Sequence, residues 1–192
     1  CETTKPYELA DEIRQVSDKP LEVITIQDCG GSVRALERGV EIAQKLVEDA
    51  SKVEREPMEL GDLLLGTNCG GSDATSGLAA NPVIGVVSDK VVAAGGTVML
   101  GETTELIGTE DILASRAATP EVADDIYTIV HGLEQSFVEA GVDVRGANPS
   151  PGNMKGGLST LEEKALGGIS KGGTTPITQV VPYGVRPTES GL

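Results

Sequence analysis

A chain of 192 residues with 39% apolar content is long enough to bury a core without disulfide staples. Its formal charge of −15 excludes nucleic acid and anionic membrane surfaces as partners, and no Lys/Arg cluster offsets it. No stretch approaches the roughly 20 apolar residues of a membrane span, and three widely spaced cysteines do not make a secreted disulfide framework, so a cytoplasmic protein with reduced thiols is expected.

The first predicted helix runs from Thr4 to Val16, with Leu9, Ile13 and Val16 on one face and Pro6 in its first turn. Pro20 then releases the chain into the β-branched run Leu21 to Gln27, which suits a parallel strand buried on both faces and ends at Asp28-Cys29-Gly30-Gly31. From Ser32 to about Val53, the positions of Val33, Leu36, Val40, Ala43, Val47 and Ala50 predict an amphipathic helix. Asp62 to Thr67 reads as a second strand, stopped by Asn68-Cys69-Gly70-Gly71 and followed by a helix.

Asn81-Pro82 supplies an N-cap and a first-turn proline for a helix lasting to Gly95-Gly96, after which Thr97 to Leu100 forms a third strand. Thr119-Pro120-Glu121 opens a helix with Val122, Ile126, Ile129, Leu133, Phe137 and Ala140 facing inward, terminated by Gly141. Ser159-Thr160-Leu161-Glu162 is a capping box for a helix to about Lys171, and Ile177 to Val181 is a last strand. Strands alternating with helices imply a single α/β domain over residues 1–192: three layers, a mainly parallel Rossmann-like sheet and helices on both faces. The chain opens on Cys1-Glu2 without an initiator Met and closes on a loop-like Pro187 to Leu192, so a fragment of a longer enzyme, with an incomplete sheet, is expected.

In such sheets ligands sit beyond the carboxyl ends of the strands, where the loops Asp28 to Gly31, Thr67 to Asp73 and Gly101 to Glu105 emerge together. In Asn68-Cys69-Gly70-Gly71-Ser72-Asp73 the glycines permit a sharp turn and close backbone approach to a ligand, and Cys69, Ser72 and Asp73 bring polar atoms into one small volume. The plain alternative is a βα turn with Ser72 or Asp73 as an N-cap. Glu102 and Glu105 can act as a base or as oxygen ligands for a divalent metal, or can be helix-start acids at the positive dipole end, the reading preferred for Glu105. The aperiodic loop Asn148 to Gly157 offers Asn153 and Lys155 as donors for a carboxylate. His131 is read as a surface residue and Cys29 as structural. No G-x-G-x-x-G follows a strand, so a nucleotide cofactor is not expected.

The run Leu65-Gly66-Thr67-Asn68-Cys69-Gly70-Gly71-Ser72-Asp73, followed by Ser76-Gly77-Leu78 and Ala80-Asn81-Pro82, resembles the central motif of the altronate and galactarate dehydratases. The likeness continues through Ser88-Asp89, Gly95-Gly96-Thr97, Glu102 to Gly108, Asn148 to Asn153 and Gly156 to Lys164, covering Thr67 to about Gly173, and Cys1-Glu2 resembles the end of an upstream Gly-Cys-Glu segment. The resemblance implies a hydro-lyase that dehydrates aldonic or aldaric acids to 2-keto-3-deoxy acids with divalent iron or a related metal. One branch is similar to sulfolactate sulfo-lyase, and further sequence flanks both ends of this region in the family.

On that reading Cys69, Ser72, Asp73, Glu102 and Lys155 are the catalytic candidates, and Asn68, Gly70, Gly71, Asn153 and Gly156 line the substrate. Cys69, with Asp73 or Glu102, would hold the metal, a thiol suiting iron or zinc rather than magnesium. Lys155 would clamp the carboxylate or act as the base. The expected partners are a small anionic sugar acid and, as assembly, a homodimer. A small-anion binding module without catalysis is the rival class.

Overall fold

The computed structural model describes residues 5–192, so Cys1, Glu2 and the predicted helix start at Thr4 lie outside it. The sequence reads as one domain; the chain packs as two compact units, one ending at Pro57 and the other spanning Met58–Leu192.

In the first unit, α1 (Pro6–Val16) and α2 (Ser32–Ser51) form where the apolar spacing predicts them. The strand expected at Leu21 to Gln27 does not form. A strand needs a ladder partner to satisfy its amides, and none exists in this unit among the described residues. Instead the segment coils and closes into a turn, with the Cys29, Gly30 and Gly31 amides donating to the carbonyls of Thr25, Gln27 and Ile26. The Tyr7 hydroxyl donates to Asp28 at 2.8 Å, tying α1 to that turn. The apolar face of α2 is present but buries no residue: Val33, Leu36, Val40 and Val47 are all exposed.

The second unit is built on a parallel pair, β1 (Leu64–Thr67) and β2 (Thr97–Leu100), in the register Leu64 with Thr97 through Thr67 with Leu100. β1 starts two residues later than predicted because Leu60–Asp62 forms a 3₁₀ turn, closed by reciprocal capping between Glu59 and Asp62. The crossover between the strands is helical from Ala74 onward: a π-helical turn, Ser76–Ala80, runs into α3 (Asn81–Ala93). Asn81 is therefore not the N-cap its pairing with Pro82 suggests. Its backbone is already helical, and its side-chain amide donates to the Gly167 carbonyl at 2.9 Å. The π turn accommodates Pro82, which has no amide to place in an α-helical ladder.

After β2 come a 3₁₀ turn (Thr103–Glu105), α4 (Glu110–Ala114) and α5 (Pro120–Glu139), whose N-cap Thr119 accepts from the Val122 amide as predicted. Along α5, Ile126 and Val130 are buried, Val122, Ile129, Leu133 and Phe137 are half-buried, and Ala140 and His131 are exposed. The loop read as aperiodic holds two short helices, α6 (Val144–Ala147) and α7 (Pro151–Lys155). In α8 (Leu161–Ile169) the cap is Thr160, one residue beyond the predicted Ser159, whose amide is held by the Glu163 carboxylate. The strand expected at Ile177 to Val181 is reduced to one bridge, Ile177 with Ala117, because the free edge of β2 is taken by Gly191 instead. Of the four expected strands two form, and the observed class is a mixed α/β unit with a small parallel sheet.

The core joins both strands to the helices: Val98, Leu113, Ile126, Ile169, Ile177 and Leu192 form one cluster, and Ile107, Val130, Val144 and Leu161 another. The Ser88-Asp89 pair of α3 clamps the chain after α8. Ser88, fully buried, donates to the Lys171 carbonyl at 2.6 Å, while Asp89 accepts from the Thr174 and Thr175 amides and the Thr174 hydroxyl. Truncation at Asp89 orphans two backbone donors, so Asp89→Ala is expected to cost about 2 kcal/mol in urea unfolding, and Asp89→Asn about half that. Equal stability of Asp89→Ala and the parent would remove the clamp from the account. No described helix is long and apolar enough to cross a membrane.

Candidate functional site

Parallel, in-register strands deliver the residues that follow them to the same edge. Thr67 and Leu100 are the last paired residues, so Cys69 and Glu102 each stand two residues beyond and face one another. The Cys69 amide donates to Glu102 Oε2 at 2.7 Å, and the Gly101 amide to the Thr67 carbonyl at 3.0 Å. Glu102 sits in the left-handed region (φ 58°, ψ 72°), the one described non-glycine residue with positive φ. Such a backbone costs on the order of 1–3 kcal/mol and concentrates at functional sites.

Glu105 joins them. Ligand atoms of Cys69, Glu102 and Glu105 lie within 4.8 Å of one another, all three side chains half-buried. Glu105 does lie in the first turn of a helix, as read, but that helix is a 3₁₀ turn with Glu102 as its N-cap, and the Glu105 carboxylate also reaches the cluster. The Glu102–Glu105 spacing is the signal that could have found it. One thiol and two carboxylates make a mixed sulfur and oxygen donor set, which suits iron(II) or zinc better than magnesium.

Asp73 takes a different place from the one proposed for it as a metal ligand. Its Oδ1 accepts from the amide and hydroxyl of Thr75 and from the amide and hydroxyl of Ser76. Those bonds, Thr75's foremost, hold its carboxyl below the usual aspartate range and make it the N-cap of the crossover helix. Ser72 Oγ lies 3.4 Å from Cys69 Sγ, and Asn68 Oδ1 accepts from the Cys69 amide at 2.9 Å. Gly71 requires glycine, with φ 111°, whereas Gly70 has no positive φ and would meet nothing on gaining a Cβ.

The predicted Asn153 to Gly156 segment does dock on this turn. Asn153 Nδ2 donates to the Ser72 carbonyl at 2.8 Å, while its Oδ1 accepts from Ser150 in a capping box, so the amide is engaged at both ends. The Gly156 carbonyl accepts from the Ala74 amide, and a Cβ on Gly156 would lie 2.8 Å from Asp73 Cβ. Lys155, between them, is exposed.

Sequence reasoning missed Lys164 and Tyr183. Lys164 is buried and pairs with Glu105 at 3.1 Å. Tyr183 donates its hydroxyl proton to Thr103 Oγ1 at 2.9 Å and accepts from the Thr103 amide, bracing the residue next to Glu102. A cavity of about 250 Å³ behind β2 is lined chiefly by aliphatic side chains such as Val98, Leu113, Ile126 and Val180 and has the wrong chemistry for a sugar acid. A second, of about 510 Å³, is bounded by Ser72, Asp73, Asn81, Glu163 and Lys164, and so opens beside the Cys69 turn.

Known proteins share these segments. The chain is 38% identical over its whole length to the altronate dehydratase of Bacillus subtilis (strain 168) and 36% identical to the galactarate dehydratase (L-threo-forming) of Escherichia coli (strain K12), spanning 38% of each. It is 35% identical over 96% of its length to the (2R)-sulfolactate sulfo-lyase subunit beta of Chromohalobacter salexigens, spanning 47% of that subunit. The chain thus covers less than half the length of these relatives. The family described as D-galactarate/altronate dehydratase, C-terminal, matches residues 60–192. That match takes in nearly all of the second unit and every side chain of the Cys69, Glu102 and Glu105 cluster, and the chain belongs to the galactarate/altronate dehydratase family.

Proposed function

We propose that this chain carries part of the active site of a sugar-acid dehydratase, which eliminates water from an aldonate or aldarate such as altronate or galactarate to give a 2-keto-3-deoxy acid. The observation that carries the reading is the cluster of Cys69, Glu102 and Glu105 at the paired strand ends. Those three side chains are the ones that would hold a divalent cation, iron(II) by the nature of the donors. A cation bound there supplies Lewis acidity toward the oxygens of a hydroxy acid.

The chain's own residues do the rest. Lys155, exposed at the end of α7, offers its ammonium to the substrate carboxylate. The Asn153 bond to the Ser72 carbonyl holds α7, the helix that carries Lys155, against the Cys69 turn. Ser72 Oγ, beside the Cys69 sulfur, is placed to donate to a substrate hydroxyl. Asp73 and Gly156 act on the shape of the site rather than on substrate, Asp73 by fixing the helix start and Gly156 by admitting α7 against it.

In the intact enzyme Cys69→Ser is expected to lower iron content and to reduce turnover of altronate or galactarate by about 100-fold. Metal analysis and a 2-keto acid assay on the same preparations check it. Full iron loading with full turnover would refute the ligand role. The identity shared with a sulfolactate sulfo-lyase subunit favours one second reading, elimination of sulfite beside a carboxylate from the same site. Turnover of sulfolactate, and not of sugar acids, by the intact enzyme would select it.

A further inference from the structure

We propose that Lys164 sets the charge of this site: it holds Glu105 as a shared ligand and so limits how tightly Cys69, Glu102 and Glu105 together grip a divalent cation. The inference rests on reading those three side chains as cation ligands.

Lys164 approaches from α8, its side chain 8% exposed and that of Glu105 14% exposed. Its ammonium donates to Glu105 Oε1 at 3.1 Å and to Asn148 Oδ1 at 2.7 Å. Asn148 follows α6, so the ammonium is fixed between two acceptors from different parts of the fold. A buried ammonium held this way does not swing out to water when a second cation arrives at the same carboxylate. The two positive groups then repel across a short, poorly screened distance, and each takes only part of the Glu105 charge.

The arrangement has a use. Two carboxylates beside a thiol in one half-buried cluster, on a chain of net charge −15, oppose the approach of an anionic acid. The Lys164 charge offsets one of the two carboxylates. Glu105 is then the ligand least committed to the cation, while Cys69 and Glu102 have no cationic partner among the described residues.

Cobalt(II) titration of the intact enzyme stripped of metal, followed by the thiolate-to-cobalt absorbance, tests this without an activity assay. The parent is expected to develop the thiolate band, Lys164→Met to bind cobalt about tenfold more tightly, and Lys164→Arg to stay within about threefold of the parent. Adding Lys164→Met to Glu105→Gln should change the affinity by less than about twofold, because the effect travels through Glu105. Unchanged or weaker binding by a natively folded Lys164→Met, with the thiolate band retained, overturns the role of Lys164 and leaves the cation site standing. Absence of the band in the parent overturns both. Should Lys164→Met lack native circular dichroism, Asn148→Ala, which keeps the charge but releases it, is expected to tighten cobalt binding, and unchanged or weaker binding overturns the proposal equally.

Discussion

Glu102→Gln in the intact enzyme is expected to leave the fold in place and to reduce turnover by about 10²–10³-fold, with a matching loss of iron. Glutamine keeps the length of the side chain and a carbonyl oxygen that can still accept from the Cys69 amide, the bond that joins the two strand-end turns at 2.7 Å. What it removes is the negative charge toward Cys69 Sγ and Glu105. The variant therefore separates the ligand role from the scaffolding role, which Glu102→Ala would confound. Glu102→Gly is the informative companion to Glu102→Ala: both lose the carboxylate and its bond to the Cys69 amide, but glycine accepts φ 58° without strain, so both should be inactive while the glycine variant unfolds at the higher midpoint of the two. Iron retention and turnover in Glu102→Gln at the parent's level would show that the left-handed backbone serves the turn alone.

Much of the second unit was legible because its signals are local. Thr119-Pro120 caps α5 as the residue types require, and of the apolar positions expected inward on α5 Ile126 is buried, whereas Val130, outside that set, is buried as well and Ala140 is exposed. The convergence of the Cys69 turn, Glu102 and the Asn153 loop also followed, since a parallel pair joined by a helix leaves few other places for those loops. The larger failures, the two missing strands, are non-local. Leu21 to Gln27 and Ile177 to Val181 have the composition of strands, but composition says only that a residue suits a ladder, not that a partner is at hand. Gly191 takes the β2 edge that the second of these was to occupy. Asp73 takes the N-cap alternative that its place after the glycine turn also allowed, because the helix begins directly behind it at Ala74. Lys164 was invisible for the same kind of reason as the strands. A lysine on a short amphipathic helix reads as surface until the fold sets it opposite Glu105, 59 residues away in the chain.

Gly85→Ala is expected to destabilise the second unit by about 3 kcal/mol, an effect far larger than a methyl group usually has on a helix. Gly85, Ser88 and Asp89 share one face of α3, at helical positions i, i+3 and i+4, and that face docks on the chain from Ser170 to Thr175. A Cβ on Gly85 would lie under 3.0 Å from the Ser170 carbonyl oxygen and 3.2 Å from the Gly173 Cα. Neither can yield cheaply. The Ser170 carbonyl accepts from the Gly173 amide, and Gly172 is itself held between Leu100 and Leu192, so relief for the new methyl means displacing the turn and the core beneath it. The control is Gly132→Ala in α5, where a Cβ would meet nothing within 4 Å and the change should stabilise by up to about 1 kcal/mol through helix propensity. Urea unfolding of the two variants should therefore move in opposite directions. A Gly85→Ala midpoint within error of the parent would mean that α3 and the Ser170 turn do not approach as closely as the Ser88 and Asp89 bonds require. In that case α8, which ends in the same turn, would have no fixed seat from which to carry Lys164 to Glu105.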